Sequence, residues 1–133
     1  MSRSYLFGLL LAAPLIISGA APAQVHPLEG TSWNVAKVQG VAVPAGLTLT
    51  FAADRVTGST GCNKFWAPVD YPVPPAIDIG APQSKRLYCM GAMSIERAYL
   101  ASLETVESYV INGETLKMLM HDGDVFIELI RAK

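Results

Sequence analysis

Cysteine, histidine, serine and carboxylate side chains are the groups that could do chemistry in this chain, and few of them stand where chemistry needs them. Cys62 and Cys89 are the two cysteines among 133 residues, and a redox couple would sit at C-x-x-C spacing instead. His26 and His121 are far apart, with no further ligands beside them at metal-binding intervals. Asp122 and Asp124 flank Gly123; this reads as a hairpin turn, because calcium requires a longer loop of oxygen ligands. Ser59, His121 and Asp122 could be nominated as a hydrolytic trio, but no G-x-S-x-G elbow frames the serine and no glycine loop cradles a phosphate. Glu104 and Glu107 sit near a helix end and read as solvated surface. The expectation is a non-enzyme with no catalytic residue, no metal site and no cofactor.

What the cysteines do depends on the compartment, and the first residues address that. Arg3 is the only charge before Glu29, Tyr5 to Ala21 is apolar or small, and Ala21-Pro22-Ala23 precedes Gln24. A positive start, a short apolar run and an A-x-A end make a secretory signal cleaved after Ala23. Pro14 interrupts the run, which is shorter than the ~20 residues a membrane-spanning helix needs. No cysteine stands at the cleavage point, so no lipid anchor is expected. Residues 24–133 then form one domain in the periplasm, where a cysteine pair is ordinarily a disulfide. Closing that loop would contribute about 3–4 kcal/mol in the chain-entropy model. Without Arg3, the 10 Lys and Arg become 9 against 11 Asp and Glu. So slight a charge excludes the basic stripe of a nucleic-acid binder.

These residues need elements to hold them. Gln24 to Pro27 reads as a loose tether, with the domain running from Leu28 to Ile130. Thr31 to Gln39 is a strand with Trp33, Val35 and Val38 inward, broken by Gly40. Leu47 to Phe51 alternates cleanly, and Arg55 to Thr60 returns as its hairpin partner. Gly58 and Gly61 suggest a bulge or a close backbone approach there. Four prolines between Phe65 and Pro75 predict loop or edge. Ile77 to Ile79 is a short strand. Ile95, Tyr99, Leu103 and Val106 recur at helical spacing, with Glu96, Arg97, Ser102 and Glu104 on the other face. Ser108 to Ile111, Thr115 to Met120 and Val125 to Ile130 form a meander turning at Asn112-Gly113 and His121-Asp122-Gly123. Seven or eight strands and one amphipathic helix predict an α+β, β-rich domain: an antiparallel sheet curled into an incomplete barrel.

Thr60-Gly61-Cys62-Asn63-Lys64-Phe65-Trp66 is a tight corner, since Gly61 and Asn63 tolerate positive φ and the aromatic pair can anchor the next segment. Here the chain resembles the META domain, the HslJ-like family of bacterial envelope proteins. The opening Leu28-Glu29-Gly30-Thr31-Ser32-Trp33 is similar to that family's L-x-G-T-x-W. Leu49-Thr50-Phe51, Arg55 to Gly58 and Gly61 to Phe65 come in the family's order, then the second cysteine, the helix with Glu96, Leu100 and Leu103, and Gly113 to Leu116. The chain departs at Ser84 and Tyr88, at Ala67-Pro68 and in the Pro72–Pro75 loop.

The resemblance implies an incomplete barrel with a packed helix and no transferable catalytic residue, with Trp33, Gly58, Gly61, Cys62, Asn63, Phe65 and Cys89 in structural roles. It connects the chain with envelope stress and drug tolerance. Three modes of action are open. One is an accessory that binds an envelope protein or component. Another is a carrier of an apolar ligand or lipid, with Tyr99, Leu103, Met118, Met120 and Phe126 lining the cavity. The third is a protease inhibitor presenting Gln24 to Pro27.

Overall fold

The structure is a computed structural model that describes residues 8, 10–16, 19 and 26–133. Arg3, the Ala21-Pro22-Ala23 site and Gln24 lie outside the described residues. Leu10, Leu11, Leu15 and Ile16 are each at least 82% exposed, contributing nothing to the core. Among the described residues no helix is long and apolar enough to cross a membrane.

Among the described residues ten strands and one helix run in this order: β1 (Ser32–Val38), β2 (Val41–Ala42), β3 (Leu47–Phe51), β4 (Arg55–Thr60), β5 (Lys64–Asp70), β6 (Asp78–Ile79), β7 (Gln83–Ser84), α1 (Met93–Thr105), β8 (Ser108–Asn112), β9 (Thr115–Leu119) and β10 (Val125–Arg131). The sheet runs β6-β5-β4-β3-β1-β10-β9-β8, antiparallel throughout, with β2 on β1 and β7 on β5. Its two ends meet at an Ala76–Ser108 bridge, flanked by bonds from Ile77 N–H to the Glu107 carbonyl and from Tyr109 N–H to the Pro75 carbonyl. The sheet is therefore nearly closed into a barrel with one unsealed seam, and α1 packs against it.

Alternation decides which side chains fill the interior. Leu47, Leu49, Phe51, Val56, Leu116, Met118, Ile127 and Leu129 are buried from their strands, and Tyr99, Leu103 and Val106 from the helix. In β1 the inward set is Trp33, Val35 and Val38, a step of three that plain alternation forbids. The register on β10 shifts between Val35 and Lys37, and this bulge returns Val38 to the core.

Several expectations need correction. Phe65 to Asp70 is not loop: it belongs to a seven-residue strand paired to β4 on one side. Pro68 is accommodated because its other side faces the break between β6 and β7, where Gly80 N–H donates to its carbonyl at 2.9 Å. Of the two readings of Gly58 the bulge fails, since the register of β4 is unbroken on both flanks, and the close backbone approach holds. Gln39 and Gly40 do not merely end β1; both have positive φ and turn it into β2. At the β8–β9 hairpin the positive φ falls on Gly113 rather than Asn112.

Candidate functional site

The corner after β4 ties sheet, loop and helix together. Gly61 alone takes positive φ there (86°), and Asn63 does not. Thr60 Oγ1 accepts from Asn63 N–H at 2.9 Å and donates to Glu96 Oε1 at 2.8 Å. Asn63 Nδ2 donates to the same oxygen at 2.7 Å and to the Leu87 carbonyl at 3.0 Å, while Leu87 N–H returns a bond to Asn63 Oδ1 at 3.1 Å. The amide side chain thus mimics a strand partner for the chain ahead of the helix. Cys62 and Cys89 are joined as a disulfide across the same gap, their Cα atoms 5.9 Å apart. Glu96 and Ser102 are buried, which corrects their assignment to the solvent face of α1. Glu96 stands three residues before Tyr99 and seven before Leu103, in phase with the apolar stripe, and that spacing was the available signal.

The outer face of β1, β3, β4 and β5 carries a polar grid laid out by the register. One row runs Ser32, Thr50, Thr57, Trp66 and Gln83, each paired across to the next strand. The adjacent row runs Asn34, Thr48, Ser59 and Lys64. Trp66 does not anchor the core; its indole points outward, 42% exposed, with the Arg55 guanidinium 5.1 Å from the ring centroid. A hollow of about 940 Å³ opens over this grid, walled on one side by the segment from Gln83 to Leu87. Its charged lining is Arg55, Lys64 and Lys85, with no carboxylate. Asp54 approaches Arg55 from outside at 3.8 Å.

A second cluster lies at the seam. His26 is buried rather than part of a tether. Its Nδ1 accepts from Leu28 N–H at 3.2 Å, which leaves the proton on Nε2, 3.0 Å from the Tyr109 hydroxyl. The ring stacks on Tyr71, centroids 4.1 Å apart. Burial lowers the His26 pKa, opposed in part by the charge of Glu29. Burial, with Glu29 and Tyr109 nearby, pushes the Tyr71 phenol up to about 12.

The META domain pattern matches residues 26–132, starting at this buried histidine. The chain belongs to the META domain family. Its structure is similar to that of a protein from Burkholderia xenovorans solved by NMR, with TM-score 0.66 and 22% identity over 86% of this chain and 94% of that one. It is also similar to a DUF4847 family protein from Bacteroides vulgatus ATCC 8482, with TM-score 0.61 and 13% identity over 80% and 96% of the two chains. No curated protein matches it.

In this META domain the remaining motif residues surround the core. Trp33 is buried, its Nε1–H donating to Thr31 Oγ1 at 2.8 Å and the Arg131 guanidinium lying 4.5 Å from its ring centroid. A Cβ on Gly58 would collide with the Thr48 carbonyl and stand 2.8 Å from the Phe65 ring. That close approach lets Phe65 cross over the glycine and meet Tyr99 edge-on at 5.6 Å. Tyr99, Leu103 and Met118 are fully buried; Met120 and Phe126 are half-buried, and none of the five lines the hollow over the grid. Ser59 sits in the grid, whereas His121 bonds Glu107 at 3.1 Å near the β9–β10 turn, with β3, β1 and β10 between their strands. Asp122 Oδ1 accepts from Asp124 N–H at 3.0 Å, fixing that turn. Among the described residues no group of three or more His, Cys, Asp and Glu could hold a metal ion.

Proposed function

We propose that this META domain is an exported envelope protein that works by binding through its outer sheet face, without chemistry of its own. One observation carries the reading. The barrel interior is filled by its own side chains, while a hollow of about 940 Å³ lies over the polar outer grid. Binding at the surface suits an accessory to envelope stress or drug tolerance better than a lipid carrier, whose cavity would have to open inside a packed core. Of the segment a protease inhibitor would present, His26 is held at the seam instead.

Periplasmic residence is supported by the charge, apolar run and A-x-A site of the first 23 residues, and by a cysteine pair placed for a disulfide. Expression of the full chain with its own leader tests this. Osmotic shock should release a protein starting at Gln24 whose mass under non-reducing conditions shows the bridge. The oxidised protein should then sediment with isolated envelopes. A full-length chain in the cytosol with two free thiols, or no envelope retention, would overturn the proposal.

A further inference from the structure

We infer that the hollow over the β3–β4–β5 face is a binding site for an acidic saccharide, a pyranose chain carrying carboxylate groups. The inference rests on the reading of the chain as an envelope-binding domain and names the ligand of that same face. Three features coincide there. Trp66 offers a flat apolar surface between Thr57 and Gln83 on the outer face, the kind of platform against which the C–H face of a sugar ring packs. Beside it, Thr57 and Gln83 supply hydroxyl and amide groups in register with the indole, able to donate to and accept from sugar hydroxyls.

Charge decides the class of sugar. Arg55, Lys64 and Lys85 converge on the hollow with no carboxylate among its lining residues, in a chain whose net charge is −1. Lys64 and Lys85 have no carboxylate within salt-bridge distance among the described residues. The Arg55 guanidinium lies over the indole, so a sugar carboxylate that pairs with it must draw it off the ring, setting the sugar's C–H face against Trp66 in its place. A nucleic acid would call for a row of aromatic platforms and a basic domain, and this face has one indole. An apolar lipid would leave the hydroxyl grid unpaired.

Trigalacturonic acid is the probe, titrated into the oxidised protein and followed by calorimetry and tryptophan fluorescence. Trp33 is 1% exposed, so a change in emission reports Trp66. Saturable binding is expected, weakening as salt is added. Trp66→Ala should weaken it about tenfold. Lys85→Gln, at an exposed position outside helix and strand, should weaken the acid but not neutral maltotriose. No saturable binding at millimolar probe, equal affinity for maltotriose, tighter binding of an oligothymidylate, or an unchanged Trp66→Ala would each overturn the inference. Envelope retention without trigalacturonate binding would sink the saccharide while leaving the envelope-binding reading in place.

Discussion

Glu96 concentrates the most consequence in one side chain. Its Oε1 receives both the Asn63 amide and the Thr60 hydroxyl inside the protein. Glu96→Ala would strand two buried donors, each costing roughly 1–3 kcal/mol, so a loss of about 2–6 kcal/mol is expected. Glu96→Gln keeps an acceptor in place and should cost about 1 kcal/mol or less. Urea unfolding of the two variants measures the gap, and equal losses would mean the oxygen is not what matters. Gly58→Ala probes the same region from the sheet. Its methyl must push against the Thr48 carbonyl and the Phe65 ring, for a loss of about 1–3 kcal/mol in the same assay.

At the scale of elements, the seam depends on a neutral histidine. Folding holds the His26 pKa below its ordinary value of 6.5, so the unfolded chain binds the extra proton first as pH falls. The contribution is therefore complete above pH 6.5 and is lost on acidification through that value toward the lower folded pKa. Protonation would also put a hydrogen on Nδ1, where Leu28 N–H now donates. Unfolding midpoints between about pH 7.5 and 5.5 should fall more for the native protein than for His26→Gln, and parallel curves would refute the latch. Much of this level is legible in the sequence: β3, the meander and the helical stripe all come from apolar spacing. His26 is not, because a single polar residue before the first strand has no periodicity to mark it. Strand β5 is hidden by Pro68, whose tolerance depends on a ladder break made by residues more than ten positions later. The hollow is equally hidden, since the grid of hydroxyls exists only once four strands are brought into register.

The whole molecule is a sheet that almost closes, with a bridge joining the corner after β4 to the residue four places before α1. Cys62 and Cys89 are 27 residues apart, and cross-linking a loop of that size removes about 3–4 kcal/mol of unfolded-state entropy. A domain of this size totals about 5–15 kcal/mol, so reduction should leave the barrel folded but with a much lower unfolding midpoint. Asn63 explains why the fold would persist: its two bonds to Leu87 and one to Glu96 hold the same gap without sulfur. Adding Asn63→Ala to the reduced protein should then cost more than adding it to the oxidised one, because each tie covers for the other. A double-mutant cycle of Cys62→Ser/Cys89→Ser with Asn63→Ala, read by urea unfolding, measures that coupling. Strict additivity would show that the disulfide and the amide act on separate parts of the molecule.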